Sequence, residues 1–341
     1  MKEIHVSDIR VGINGFGRIG RCLLKILLQR GGFQIVGLND LADLGDLAYL
    51  LKYDSVHGWY PSKVEHNETH LQVGDTVIPF FSVRNPAELP WGKLGADIVF
   101  ECTGAFRPRD QAATHLAGGA RRVIISAPSE DADATLVVGV NARTFDPQRH
   151  QVVSMASCTT NSLAPVAKVL HESYGVEHLM ITTVHAYTSS QSLMDLPTRK
   201  RRRGRSAALS IVPTTTGAAR ATAAVLPELK GRMDGMALRV PVPDGSVTDM
   251  VATLKTDVTA AQVNDCLRAA AARPPLLGVL RVSDEALVSR DIIGDPHSSI
   301  VDAESTLVLR DRVLKLLAWY DNEWGFSARL ADLAGLMATA G

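Results

Sequence analysis

The sequence has few cysteines, no long apolar run and no excess charge of either sign. Its four cysteines, at positions 22, 102, 158 and 266, show neither a disulfide framework nor a metal-ligand spacing, so no metal is expected. No apolar run approaches the roughly 18–20 residues that a membrane-crossing helix needs. The opening Met1-Lys2-Glu3-Ile4-His5-Val6-Ser7-Asp8 contains no apolar stretch of the kind a secretory signal carries. Thirty-six Lys and Arg residues balance 36 Asp and Glu, so no global field draws the chain to nucleic acid, to a membrane or to an acidic partner. Repeats, low-complexity stretches and long linkers are missing too. What remains is ordinary for a globular protein, with 46% hydrophobic and 21% charged residues. At 341 residues the chain can build two domains with sizeable cores. A reduced, soluble, cytoplasmic protein is the expectation.

Chemistry concentrates around residue 158. Gln151-Val152-Val153-Ser154-Met155 reads as a short buried strand, and Leu163, Val166, Leu170 and Tyr174 follow at helical spacing. Cys158 therefore stands where a strand hands over to a helix. Unpaired N–H groups at such a helix start carry partial positive charge, favour nearby anions, and can lower a thiol pKa from roughly 8.5. His185, within the strand-like Met180–Thr188 segment, supplies the base that thiol catalysis usually requires. Taken singly, Cys158 could be a small helix-start residue and His185 a satisfied sheet histidine. Together, beside Thr159-Thr160-Asn161, they point to a reactive site.

Near the start, the strand-like Asp8–Asn14 runs into Gly15-Phe16-Gly17-Arg18-Ile19-Gly20, then a helix, then a second strand Phe33–Asn39 that ends at Asp40. A G-x-G-x-x-G between strand and helix, with an acid some 20 residues on, is the dinucleotide-binding arrangement. Its glycines let the backbone approach a pyrophosphate, and the carboxylate accepts from ribose hydroxyls. Further buried strands are expected at 97–102, 122–126 and 136–140, with a helix from Pro108 to Leu116. The second half reads as strands at 178–188, 235–242, 246–256, 276–282, 299–310 and 312–320, with helices near 158–174, 214–225 and 259–272. A final helix covers about 325–340. Arg199-Lys200-Arg201-Arg202-Arg203-Gly204-Arg205 would suit nucleic acid if read in isolation. Pro213 to Ala219 opens a helix with hydroxyls and a glycine, which suits either an anion or the helix's own cap.

Three motifs carry a resemblance along the whole chain: Val11–Arg21, Ser157-Cys158-Thr159-Thr160-Asn161-Ser162-Leu163-Ala164-Pro165, and Trp319-Tyr320-Asp321-Asn322-Glu323. They resemble the signatures of phosphorylating glyceraldehyde-3-phosphate dehydrogenases, with Ser162 where many members carry a second cysteine. The resemblance implies an α/β protein: a Rossmann-type doubly wound parallel sheet plus an α+β catalytic domain on a mixed or antiparallel sheet. Residues 1–156 plus 322–341 would form the dinucleotide domain and 157–321 the catalytic domain. It implies NAD as cofactor, glyceraldehyde 3-phosphate and inorganic phosphate as partners, and a homotetramer. Cys158 would be the nucleophile and His185 its base. Gly15, Phe16, Gly17, Arg18, Ile19, Asp40, Arg84, Thr103, Ser126 and Asn322 would contact the cofactor. Thr188 and Arg239 would hold the substrate phosphate and Ser157, Thr159, Thr216 and Gly217 the attacking phosphate, with Arg203 helping to bind phosphate. The basic run would belong to an S-shaped loop at a subunit contact, and Leu196-Pro197 is the pair that NAD-specific members carry. Another phosphorylated aldehyde, such as erythrose 4-phosphate, and a non-catalytic nucleic-acid-binding relative are the alternatives.

Overall fold

The computed structural model describes residues 9–340, so the reading of the first eight residues lies outside them. The chain divides into two compact units. One comprises 1–136, 144–156 and 327–341, and the other 137–143 and 157–326.

The first unit is built on a nine-stranded sheet ordered Ala134–Thr135, Val152–Ser154, Arg122–Ile125, Ile98–Glu101, Ile9–Asn14, Phe33–Asn39, Thr76–Phe81, His70–Val73 and Val64–His66. Neighbours from Ala134–Thr135 through Thr76–Phe81 pair in parallel, and the last two strands add antiparallel. Its central strands are buried on both faces, which is why they read as near-continuous apolar runs such as Ile98-Val99-Phe100. The helix Arg18–Arg30 follows the first strand and buries Cys22, Leu23, Leu24, Ile26 and Leu27. Its Arg30 donates to the Ala328 carbonyl and pairs with Asp332 of the last helix, Trp324–Thr339.

The second unit carries a seven-stranded mixed sheet ordered Val212–Thr215, Met233–Val240, Val176–Ala186, Ser246–Leu254, Val313–Tyr320, Ser299–Leu309 and Leu280–Ser283. Two of its pairings are parallel and four antiparallel. The helix Cys158–Tyr174 buries Leu163, Val166 and Leu170 in a core shared with Leu179, Ile181, Met250 and Leu316. Removing that much apolar surface stabilises by roughly 1.5–3 kcal/mol for each large side chain, so this packing holds the Cys158 end of the helix in place.

The structure differs from the sequence expectations in several places. Leu136–Val140 is not a strand: the edge strand is Ala134–Thr135, and Val140, Asn141 and Ala142 donate back to the Val137 carbonyl in tight turns. The expected 108–116 helix is two short pieces, Arg109–Ala112 and Thr114–Ala117. Thr214 and Thr215 end a strand rather than open a helix, and the helix starts only at Ala218. Pairing of Val212–Thr215 with Met236–Arg239 outweighs the local capping signal there. Asn322 lies in the second unit, which continues to Phe326.

Candidate active site

Ser154 and Ser157 together fix the strand-to-helix handover. Ser154 Oγ donates to the Ala127 carbonyl and accepts from Ala156 N, holding Ala156 at φ 57°, a left-handed conformation rare for a non-glycine residue. Ser157 is then the N-cap, accepting from Thr160 N at 3.1 Å, so Cys158 occupies the first helical position.

Cys158 Sγ lies 3.4 Å from His185 Nε2. His185 Nδ1 lies 2.7 Å from the Ala186 carbonyl, which can only accept, so the neutral ring carries its proton on Nδ1. That leaves the Nε2 lone pair facing the sulfur. Arg239 Nη1, 3.1 Å from Nδ1, donates instead to the Ala186 carbonyl at 2.8 Å and to Thr188 Oγ1 at 3.3 Å. Burial, reinforced by Arg239, holds His185 down to about 3. Burial pushes the Cys158 thiol above its ordinary value, with the Arg239 guanidinium pulling the other way. This departs from the expected lowering. A helix N-terminus contributes at most about 2 kcal/mol to a thiolate, so the Arg239 guanidinium is the chief group favouring the thiolate here.

Arg239 is itself informative. Its Nε is buried without a hydrogen-bond partner among the described residues, and a stranded guanidinium donor is an anion site in waiting. Thr188, already touched by Arg239, also contacts Ser190 Oγ at 2.8 Å. Arg203 Nε donates to Thr214 Oγ1 at 3.0 Å. Beside it a cavity of about 500 Å³ is lined by Lys200, Arg201, Arg202, Arg203, Thr214 and Thr215 among others. Thr216 Oγ1 accepts from Ala218 N at 3.1 Å, and Gly217 is the helix N-cap. Ser157 and Thr159 are more committed than the sequence indicated. Ser157 caps its helix, and Thr159 Oγ1 lies 2.9 Å from Tyr320 OH.

In the first unit, Asp40 Oδ2 accepts from Phe16 N at 2.7 Å and Oδ1 from Ala42 N at 3.0 Å. A carboxylate has about four acceptor positions, so two remain for ribose hydroxyls. The dinucleotide loop fits a pyrophosphate. Gly17 caps the first helix without a side chain, and a Cβ there would stand in open space. Gly15, at φ +94°, has Thr103 N where its Cβ would be, at 2.6 Å, so only glycine closes that turn. Arg18 pairs with Asp54 at 2.8 Å, and Ile19 follows it in the first turn of the helix. Thr103 is held by Glu101 through its N–H at 2.8 Å and through its hydroxyl. Ser126 Oγ donates to the Glu101 carbonyl at 2.9 Å. Exposed Arg84 follows Val83, whose N–H and carbonyl are both bound by Asn39.

Two matches now identify the family. Residues 9–109 match the glyceraldehyde 3-phosphate dehydrogenase NAD binding domain, and residues 157–322 match that family's C-terminal domain. The chain belongs to the glyceraldehyde-3-phosphate dehydrogenase family. It is 52% identical over 326 residues to the glyceraldehyde-3-phosphate dehydrogenase of Streptomyces coelicolor, covering 95% of this chain and 97% of the relative. That of Geobacillus stearothermophilus is 52% identical over 98% of this chain and 99% of its own. Bacillus subtilis glyceraldehyde-3-phosphate dehydrogenase 2 is 48% identical over 95% of each.

Within this family frame, several residues escaped the sequence reading. Tyr320 stands edge-on to His185, ring centroids 6.0 Å apart, and ties to Thr159. Asp321 accepts from Glu323 N, Trp324 N and Gly294 N, while burial, then Asp321, pushes neighbouring Asp244 well above the usual carboxylate range. Ser246 donates to Asn322 Oδ1 at 2.6 Å. The Trp319–Glu323 motif flagged the neighbourhood, but nothing in the sequence said that residue 246 reaches it.

Proposed function

We propose that this protein is an NAD-dependent, phosphorylating glyceraldehyde-3-phosphate dehydrogenase, oxidising the aldehyde to an acyl phosphate. The Cys158–His185 pair at 3.4 Å, with Nε2 deprotonated toward sulfur, carries the reading. His185 takes the thiol proton as Cys158 Sγ adds to the aldehyde carbon and returns it to the resulting alkoxide, giving a thiohemiacetal and a neutral imidazole. His185 then removes the hydroxyl proton while the carbon–hydrogen bond breaks. Bound NAD supplies the hydride acceptor. The thioester left on Cys158 is cleaved by inorganic phosphate, which restores the thiol and releases the acyl phosphate. The amide of Cys158, at the helix start, faces the charge that develops on the substrate oxygen.

Arg239, with its free Nε, and Thr188 take the substrate phosphate. Arg203, Thr216 and Gly217 take the attacking phosphate, with Ser157 and Thr159 shaping the wall. Gly15, Phe16, Gly17, Arg18 and Ile19 cradle the pyrophosphate. Asp40 takes the adenosine ribose, Arg84, Thr103 and Ser126 line the cofactor, and Asn322 takes the nicotinamide carboxamide.

A homotetramer belongs to the same proposal. Cross-strand register puts Met180, Val251, Lys315 and Leu307 in one row on one face of the second sheet, and Met180, Val251 and Leu307 are exposed there. A soluble, cytoplasmic enzyme without a nucleic-acid partner completes the reading. No helix among the described residues is long and apolar enough to cross a membrane. The basic run forms a short turn, Arg201–Gly204, tied by Lys200 and Arg203 to Thr215 and Thr214, and offers no groove-reading helix.

Steady-state kinetics with NAD and NADP, each with and without phosphate, tests the assignment. Asp40 would crowd a 2′-phosphate, and Leu196-Pro197 would block it sterically. NAD should therefore lead by at least about tenfold in kcat/KM, roughly 1.4 kcal/mol, and turnover should require phosphate. Equal rates with NADP, or phosphate-independent turnover, would sink it.

A further inference from the structure

Ser246 is fully buried at the start of the strand Ser246–Leu254, opposite Tyr320. Its hydroxyl meets two groups with fixed roles, beside the Tyr320 hydroxyl, which can donate or accept. Ala186 N, at 3.1 Å, can only donate, and Asn322 Oδ1, at 2.6 Å, can only accept. The single hydroxyl proton must therefore go to Asn322. In this arrangement the Asn322 oxygen is turned inward to the hydroxyl and the Nδ2 donor is left for something else. Asn322 is 6% exposed, and no described residue accepts from its Nδ2. With no acceptor among the described residues, that donor is open to one from a ligand.

The same hydroxyl grips the N–H of Ala186, whose carbonyl takes His185 Nδ1 and Arg239 Nη1. One oxygen thus joins the residue that fixes the histidine tautomer to the amide that awaits a ligand.

We propose that Ser246 is a positioning residue that sets cofactor selectivity: it presents Asn322 as a donor, so that the ring substituent recognised is a carbonyl oxygen. This rests on the reading that Asn322 meets the nicotinamide carboxamide. Without Ser246 the amide can turn over, presenting donor or acceptor alike, and the preference for a carbonyl oxygen weakens.

The test is calorimetric binding of NAD and of its thionicotinamide analogue, whose sulfur is a poor acceptor, to the parent, Ser246→Ala, Asn322→Ala and the double variant. Ser246→Ala should weaken NAD about tenfold, the equivalent of one lost hydrogen bond. It should also shrink the preference for NAD over the thio analogue by at least about threefold, which a generally loosened fold would not do. On the Asn322→Ala background, Ser246→Ala should add less than about twofold. Should Ser246→Ala not fold, Ser246→Cys, nearly isosteric and a weaker donor, should show the same selectivity loss in smaller degree. Unchanged NAD affinity in a folded Ser246 variant, or penalties that simply multiply in the double variant, would overturn the proposal. Asn322→Ala binding NAD like the parent would instead remove the carboxamide reading beneath it.

Discussion

Two buried histidines, one in each compact unit, show how this chain separates scaffold from chemistry. His115 is closed on every side. Its Nδ1 accepts from Trp91 Nε1 at 3.0 Å, which obliges Nε2 to carry the proton and donate to Glu101 Oε2 at 3.1 Å. Glu101 accepts in addition from Asn14 Nδ2 at 2.6 Å and from Thr103 N and its hydroxyl, while Asn14 Oδ1 takes Asn39 Nδ2 at 2.7 Å. Every partner is another fixed protein group, and the network pins the ends of three neighbouring strands. His185 is equally buried, yet its Nε2 lone pair faces a thiol and the adjacent Arg239 Nε has no partner among the described residues. In this pair, saturation goes with the residue that holds shape, and the open lone pair and donor go with the one placed to react.

Exchanging the two histidines in turn gives the strongest test of that contrast. His185→Asn should slow single-turnover hydride transfer by about 10²- to 10⁴-fold, the usual loss for a missing general base. His115→Asn at saturating NAD should stay within about threefold, because it touches no reacting atom. Acid unfolding supplies a second reading of the same variants. A histidine held at about 3 when folded and near 6.5 when unfolded binds more protons unfolded. Its contribution is therefore complete above pH 6.5 and is lost as pH falls toward 3, with a slope approaching about 1.4 kcal/mol per pH unit. His185→Asn should flatten that slope. An unaltered acid transition together with a near-parent rate would break the comparison.

The two regions were not equally legible beforehand. Cys158, His185, the glycine loop and Asp40 stood out because their chemistry is local: a nucleophile at a helix start, a loop that admits backbone, an acid at a strand end. Periodicity likewise gave most strands and the long helices. What escaped was set by pairing across long sequence gaps. Ser246 and Asn322 are 76 residues apart and Asn14 and His115 are 101 apart, and no single-chain pattern encodes such meetings. The strands Val64–His66 and His70–Val73 were missed because short antiparallel strands with polar residues carry little apolar signal. Glu101 alone left a hint, as a lone charge ending an apolar run that reads as a buried strand.

The scaffold half of the comparison sharpens with Glu101→Gln. The new amide nitrogen would face the buried donors of Asn14 and His115 or, flipped, the two donors of Thr103, so two donors lose their acceptor in either orientation. The expected loss of stability is about 1–3 kcal/mol in urea unfolding. Iodoacetamide should still modify Cys158 at the parent rate in the folded state, since Glu101 belongs to the first unit and Cys158 to the second. A Glu101→Gln protein as stable as the parent would mean that the network is not closed as described.

The finest distinction concerns what Arg239 leaves open. Its guanidinium does two things at once: Nη1 supports the Ala186 carbonyl and Thr188, while Nε stays unpartnered. Arg239→Lys keeps the charge that draws on the Cys158 thiol but replaces a planar fork with a single point donor. If the open Nε is a substrate-phosphate contact, KM for glyceraldehyde 3-phosphate should rise about tenfold, or roughly 1.4 kcal/mol, with kcat changed less. If the chief task were instead to hold the Ala186 carbonyl, and through it the His185 tautomer, kcat would fall and KM would stay. The geometry favours the first outcome. His185 Nδ1 already donates to that carbonyl at 2.7 Å, so the tautomer survives the loss of Nη1, whereas no other group replaces Nε. Glyceraldehyde without its phosphate provides the control, because the lysine enzyme should handle it about as well as the parent does. A tenfold fall in kcat with KM unmoved, shared equally by the unphosphorylated aldehyde, would reassign Arg239 from an open site to the closed kind that surrounds His115.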